Sequence, residues 1–483
     1  MDAEVLRGLE PQLVEYLARF ADCFVRRPTR EHLAVYVCGQ LSELPRKSVE
    51  PIALAAGVPV RTLQEFVAQL TWDEDRMRQQ VASIVRQEHA DRESIGIFDE
   101  TGQVKKGTHT PGVQRQYCGS VGKQENCIVT VHLGYAADAF HCLLDSDLFL
   151  PESWDGDRER CRAAGIPDDV HYRPKWQIAL ELYDRAVAHG VHLEWVTFDE
   201  GYGGKPPFLR ALQGRRQKFV GEIPRNFRVW IKPPRLTRRP FRRGGRGRGR
   251  PIPRLMAGSL PAQTVEHLAQ THPRLAARPW QTWLIKDTHK GPLVWHVKHA
   301  LVHLADEQGL PEGPYHLLVC THPFTGEVKY FLSNAPANTP IKKLLRVAFG
   351  RWHIERCFED GKGEVGLDHW EGRRWLGLKR HLILTSVSYL FLAQACQRLR
   401  GEKPGMDRLP GTARHRRPHS KLAAQPLRCR PALATGRAAH PLLPTPQRSR
   451  PRQPPPDHAA PLAPTWHPPQ PAATLPARYE LAL

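Results

Sequence analysis

Two short apolar runs constrain this chain more than anything else in it. Residues 94–99 read Ser-Ile-Gly-Ile-Phe-Asp, and residues 193–199 read Leu-Glu-Trp-Val-Thr-Phe-Asp. Each has the β-branched and aromatic content of a strand, and each stops on an aspartate, Asp99 or Asp199. A glutamate follows each aspartate directly, and a glycine comes soon after. Between the two runs lie a turn at 119–122, extended runs at 127–134 and 140–150, and an amphipathic helix from Pro174 to His189 closed by Gly190. A helix over 207–213 and a strand over 218–223 come next. This order predicts an α/β fold: one mixed sheet with helices on its faces. Neighbouring strands in such a sheet would set Asp99 beside Asp199. Two adjacent carboxylates repel and cost several kcal/mol to bury unless a cation neutralises them. Hard divalent cations with oxygen ligands meet that need. Taken singly, each aspartate equally suits the start of a turn.

A third stretch, residues 351–362, reads as a helix without proline. Its weak point, Gly361, costs about 1 kcal/mol relative to alanine. Helical spacing places Glu355, Glu359 and Lys362 on one face with Arg351 nearby. A carboxylate between two cations fits a site that holds a metal ion against a phosphodiester. A solvated, ion-paired helix face is the other reading of the same stripe.

The chain of 483 residues carries a net charge of +21, which points to a polyanionic partner, nucleic acid above all. No lipidation signal or basic amphipathic terminal helix supports a membrane partner. The first residues are acidic and polar, unlike a signal peptide. The most apolar stretch, 382–396, is too short and too polar to span a bilayer and reads as a buried core helix. Ten cysteines are scattered singly without a C-x-x-C, so neither zinc nor a disulfide framework is expected.

Residues 1–90 read as a helical domain. Helices are expected over 4–24 and 30–44, then a helix, a turn at Gly57 and a second helix over 47–66. The last pair has helix-turn-helix spacing, with Arg61 and Thr62 opening the helix that would reach a DNA groove; an ordinary αα-hairpin shares that pattern. Ala55 and Gly57 are small enough for close helix contact. Residues 91–223 hold the two aspartate runs, with Lys105 and Lys106 as further DNA-contact candidates. Residues 224–340 are a β-rich insertion, with strands expected over 281–286, 294–303, 315–320 and 329–332. It opens with a basic run: residues 225–254 contain twelve Lys or Arg and no acid. Within it Arg242, Arg243, Arg246, Arg248 and Arg250 suit phosphate contacts, or a minor-groove contact at 248–251. Trp280, Trp283 and Trp295 read as core residues, or as a platform for an unstacked base. Residues 341–401 are helical. Residues 402–483 hold 18 of the chain's 44 prolines and read as a disordered Pro/Arg-rich tail; a shifted reading frame is one origin for such a composition.

Three blocks together resemble the DDE transposases of bacterial insertion sequences, most closely the IS-four-like group and its IS-seven-hundred-one branch. They are FDETGQVKKGTHTPGVQRQYCGSVGKQENC at 98–127, WVTFDEGYG at 195–203 and RWHIERCFEDGKGEVGLDHWEGR at 351–373. The signature of that group is Tyr, two residues, Arg, three residues, Glu, six residues, Lys. Arg351, Glu355 and Lys362 keep its spacing, while Ala348 stands at the tyrosine position. The resemblance implies an RNase H-like catalytic core interrupted by the β-rich insertion. It implies Asp99, Asp199 and Glu355 as the catalytic and metal-binding triad. It also implies two Mg²⁺ ions about 3.5–4 Å apart, with Mn²⁺ as a substitute. Arg351 and Lys362 would then position phosphates. Glu359 and Glu364 are rival ligands, and Glu355 is preferred because it keeps the spacing to Arg351 and Lys362. The implied partners are double-stranded transposon ends, target DNA and a second copy of the chain, in a bacterial cytoplasm at the nucleoid. The competing functions are a DNA-binding repressor that has lost catalysis, and a nuclease without strand transfer.

Overall fold

The structure is a computed structural model that describes residues 9–237, 252–288 and 291–402. Arg242, Arg243, Arg246, Arg248 and Arg250, and the tail from 403 onward, lie outside the described residues. The expected mixed sheet is present. Its strands are β1 (Ile95–Val104), β2 (Gln114–Cys118), β3 (Lys123–Ala137), β4 (Phe140–Leu148), β5 (Trp195–Phe198) and β6 (Lys218–Ile223). The insertion adds β7 (Gln281–Thr288), β8 (Gly291–Ala305), β9 (Pro311–Thr321) and β10 (Val328–Ser333). The order across this ten-stranded sheet is β7-β8-β9-β10-β6-β5-β1-β3-β2, with β4 also paired to β3. β5 runs parallel to both β1 and β6. β1 is antiparallel to β3, and β10 to β6, so the insertion strands continue the same sheet.

The register decides where the aspartates fall. Phe98 on β1 is the partner of Phe198 on β5, so residues 99 and 199 follow side by side. The structure corrects one detail of the sequence reading. β1 does not stop at Asp99 but runs on to Val104, paired with β3 throughout, with Asp99 opposite His132. The long β3 supplies hydrogen-bond partners beyond the apolar run, and a ladder needs partners more than apolar side chains. β2, absent from the sequence reading, forms for the same reason: its polar Gln-Arg-Gln-Tyr pairs with the first half of β3.

Among the described residues five α-helices precede the sheet: α1 (Leu9–Ala18), α2 (Arg27–Leu41), α3 (Val49–Ala56), α4 (Val60–Ala68) and α5 (Glu74–Glu88). α6 (Lys175–Ala188) and α7 (Pro206–Gly214) flank β5 in sequence. α8 (Ile341–Phe349), α9 (Trp352–Val365) and the long α10 (Trp375–Glu402) close the body. The stretch 382–396 forms the buried middle of α10. Among the described residues no helix is long and apolar enough to cross a membrane. The N-terminal helices are tied to α10 by buried polar contacts. Tyr16 donates to the Val387 carbonyl at 2.8 Å, Tyr36 meets Nδ1 of His381 at 2.9 Å, and Gln40 donates to Thr385 at 3.0 Å. Apolar residues of helices and sheet form one continuous core. Every cysteine among the described residues is buried and outside any disulfide.

α3 and α4 form the expected helix-turn-helix pair. The reason for Gly57 differs from the expectation. It ends α3 with φ 67°, a left-handed conformation in which glycine avoids a steric cost, and a Cβ there would touch nothing within 4 Å. Ala55 is exposed. α4 buries Leu63, Phe66 and Val67 and leaves Arg61 in solvent. Of the three tryptophans, Trp295 is buried, Trp283 half-buried and Trp280 exposed, with the Lys298 ammonium 4.5 Å above the Trp280 ring. The core reading therefore holds for Trp295 and fails for Trp280.

Candidate active site

β1 carries Asp99 into a nearly closed environment, where it is 9% exposed. Its Oδ1 accepts from the Glu100 backbone at 2.8 Å, and its Oδ2 accepts from Arg351 at 2.8 Å. Burial pushes the carboxyl up to about 7; Arg351 opposes the shift and Asp199 adds to it. Asp199 ends the β5 run and caps the short turn of helix at Glu200–Gly203, accepting from the backbone of Gly201 at 2.9 Å and Tyr202 at 3.3 Å. Burial and the neighbouring Glu100 raise its pKa as well. The turn reading of this aspartate is thus correct, and it coexists with proximity to Asp99. That turn lies tight against β6. A Cβ on Gly203 would sit 1.8 Å from the Glu222 carbonyl, so only glycine fits there.

Arg351 joins the sheet to α9. One arm of its guanidinium reaches Asp99, and the other reaches Oε1 of Glu355 at 2.7 Å, one helical turn along. The planar fork of a single guanidinium keeps these two carboxylate oxygens within roughly 8 Å of each other. Asp199 and Glu222 also act on Arg351 electrostatically. Arg351 thus contacts Asp99 on a strand and Glu355 on a helix and acts electrostatically on Asp199, at the turn that follows a second strand. Glu355 is the most open, its side chain 59% exposed.

The remaining sequence candidates are more scattered. Lys362 lies two turns along α9, its ammonium half-buried and its pKa lowered by burial, with Asp368 opposing the shift. Lys105 donates to the Trp370 carbonyl, and burial lowers its pKa to about 8; Lys106 is exposed. Arg61 pairs with Glu65 on the surface at 2.8 Å. The rival Glu359 pairs with Arg356 at 3.1 Å. The Glu364 backbone carbonyl accepts from Lys47. Ala348 is buried on α8 and faces the core.

Three neighbours of the site escaped the sequence reading. Glu100 takes the Lys175 ammonium and the Tyr202 hydroxyl, the latter at 2.9 Å. Glu222, near the end of β6, pairs with Lys329 at 3.1 Å. Lys286, on β7 of the insertion, sits 3.5 Å above the Trp352 ring at the start of α9, within electrostatic reach of Glu355. The repeated Asp-Glu pair was the one available signal for Glu100. The other two depend on strand pairing far along the chain.

The donor chemistry fits a hard divalent cation: three carboxylates on three elements, with buried Asp99 and half-buried Asp199 short of compensating charge. The side chains do not yet close on one. Among the described residues no three His, Cys, Asp or Glu groups converge as a ready metal cluster. The Arg351 guanidinium lies between Asp99 and Glu355 instead.

Residues 19–292, more than half of the chain, match the family described as DDE superfamily endonuclease. The chain belongs to that family. The matched span takes in Asp99 and Asp199 of this DDE endonuclease-family chain and ends before Glu355, so the third carboxylate rests on geometry and motif spacing. A curated relative is the probable transposase for insertion sequence element IS701 of Microchaete diplosiphon. It is 32% identical over 200 residues, covering 40% of this chain and 49% of the relative. The chain thus spans about half the length of the curated relative it matches. The resemblance drawn from the three sequence blocks is borne out by both findings.

Proposed function

We propose that the protein is a DNA transposase that cleaves the ends of an insertion sequence and joins them to target DNA. One observation carries the reading. Asp99 on β1 and Asp199 just past the end of β5 come directly after the paired Phe98 and Phe198, and Arg351 holds Glu355 to Asp99 across the sheet-helix gap. Family membership and the transposase relative support the same chemistry. The strand order β4-β3-β1-β5-β6, antiparallel through β3 and parallel from β1 to β6, fits an RNase H-like core that the insertion strands extend from β6.

In this reading Asp99, Asp199 and Glu355 hold two divalent cations, Mg²⁺ with Mn²⁺ as a substitute. When bound, such ions supply Lewis-acid activation of a phosphodiester and stabilise its attacking and leaving oxygens. The chain's own groups do the rest. Arg351 presents a planar fork that matches a phosphate, and Lys362 adds a second positive charge along the same helix. Burial of Asp99 keeps water from screening these charges. Exposed Arg61 on α4 and Lys106 after β1 contact the duplex backbone, as do the basic residues 242–250. The partners are double-stranded ends, target DNA and a second copy of the chain.

The test uses purified protein, end-labelled element termini and Mg²⁺, alongside Asp199→Ala. Cleaved and joined products from the wild type alone are expected. Binding by both without cutting by either would identify a repressor. Cutting without joining would identify a simple nuclease.

A further inference from the structure

The Arg351 guanidinium occupies the position that a metal ion needs if the carboxylates are to act as proposed above. Its two arms are committed to Asp99 at 2.8 Å and to Glu355 at 2.7 Å. Asp199 and Glu222 also act on it, and Glu222 has a cation of its own in Lys329. Asp99, Asp199 and Glu355 therefore share this guanidinium, with Lys286 at electrostatic range of Glu355. Exchanging the guanidinium's single charge for the two of a divalent cation brings three clustered carboxylates closer to neutrality. The arginine is also free to leave in one direction. Asp99 is enclosed at 12% side-chain exposure, whereas Glu355 is open at 59%, so solvent reaches the fork from the Glu355 side. A DNA phosphate arriving from that side offers the fork two oxygens in the geometry that carboxylates offer.

We propose that Arg351 is an exchangeable counter-ion, which holds Asp99 and Glu355 in the DNA-free chain and passes to a DNA phosphate as a divalent ion takes its place. The proposal rests on the reading of these carboxylates as the metal site and adds its regulation. Without DNA, ion and arginine compete for the same oxygens, so ion binding is weak. With DNA, the phosphate removes the competitor, and ion and DNA each strengthen the binding of the other by the same factor. Cutting is thereby tied to occupancy by substrate. A merely structural arginine, one that preorganises the carboxylates, makes the opposite prediction: its loss would weaken ion binding.

The experiment measures Mn²⁺ binding to the full chain by electron paramagnetic resonance, with and without a short duplex of arbitrary sequence. Wild type, Arg351→Ala, Arg351→Lys and Asp199→Ala are compared, and circular dichroism checks each fold. The duplex should tighten Mn²⁺ binding to the wild type on the order of 5- to 150-fold, the usual span of such couplings. Arg351→Ala should bind Mn²⁺ tightly without duplex and lose that coupling. Arg351→Lys keeps the charge without the fork and should retain part of the coupling; it serves as the decisive variant if the alanine does not fold. Weaker Mn²⁺ binding by Arg351→Ala, or coupling that survives in it, overturns the exchange. Mn²⁺ binding that Asp199→Ala leaves untouched overturns instead the assignment of the metal site, and the two failures are thus told apart.

Discussion

Asp99→Asn should stabilise this protein, although it removes a residue of the proposed site. In the folded chain burial lifts the Asp99 carboxyl to about 7, against about 3.9 for an unfolded aspartate. Each unit of difference is 1.36 kcal/mol, so the gap amounts to about 4 kcal/mol. The sign follows from the proton count. Between pH 4 and 7 the folded chain keeps a proton that the unfolded chain has shed. Stability is therefore fully present at low pH, falls as pH rises, and levels off above the folded value. At pH 8 the wild type carries the whole cost of a buried ionised carboxylate. An amide never ionises, and the variant escapes it. The expected gain is about 4 kcal/mol at pH 8 and between about 1 and 2 kcal/mol at pH 5. For a folded body of this size, that is a rise in Tm of about 5 °C at pH 8. The assay is thermal or urea unfolding of both proteins with a chelator, from pH 5 to 8. Added Mg²⁺ should then raise the wild type more than the variant. Equal stability at pH 8, or a less stable variant, would refute the argument that Asp99 sits buried with too little positive charge around it.

Other perturbations follow from single contacts. Gly203→Ala places a methyl against the Glu222 carbonyl, 1.8 Å away before any shift, and should cost roughly 1–3 kcal/mol in a urea midpoint while disordering the Asp199 turn. Glu355→Gln should lower end cleavage by at least about 100-fold, whereas Glu359→Gln, whose carboxylate pairs with Arg356, should cut nearly as the wild type does; the reverse ranking would move the third carboxylate to Glu359. Arg61→Ala gives up a surface ion pair worth about 0.3–0.5 kcal/mol, so stability should hold while duplex affinity falls and its salt slope drops by about one. Deleting 238–250 should flatten that slope further in a filter-binding titration, and an unchanged slope would exclude the basic run from the DNA contact.

Much of this site was readable in advance because two of its parts obey local rules. A strand of alternating or continuous apolar residues reveals itself, and the helix between the 94–99 and 193–199 runs makes parallel neighbours of them. Their shared register then follows. The four-residue step from Arg351 to Glu355 likewise fixes both on one helical face, which is why one guanidinium can bridge from helix to sheet. What stayed hidden depends on distant partners. β1 continues past Asp99 because β3 is there to pair with it. Lys105 looks like a free cation in sequence, yet its ammonium is spent on the Trp370 carbonyl. Trp280 lies outside the core because it precedes β7, the strand at the edge of the sheet. Glu222 approaches the site only because β6 pairs with both β5 and β10.

The three carboxylates differ in what fixes them. Backbone register places Asp99 and Asp199, and a strand cannot slip by one residue without turning its core face to solvent. Glu355 has no such constraint, since a helix on a sheet can slide or roll. Two sets of contacts hold α9 in place. On its underside Ile354 packs against β3 at Gly134, where a Cβ would come within 3.1 Å of the isoleucine. Beyond its C-terminus the segment 364–371 is gripped by residues that begin the α3 region. Lys47 donates its ammonium to the Glu364 carbonyl and its backbone N–H to His369 at 2.9 Å. Arg46 pairs with Glu371 at 2.7 Å, and Ser48 donates to Glu371 at 2.8 Å. The end of β1 grips the same segment through Gln103 and Lys105, which donate to the Asp368 and Trp370 carbonyls. Burial lowers the pKa of Lys47 and Lys105 to about 8. Both lysines therefore give up hydration to hold backbone carbonyls, which makes sense only if the loop must not move. The strand that carries Asp99 thus also sets the far end of the helix that carries Glu355. Residues 46–48 complete that grip while opening the helix-turn-helix pair, so the position of the third carboxylate depends on a segment that contains none of the three.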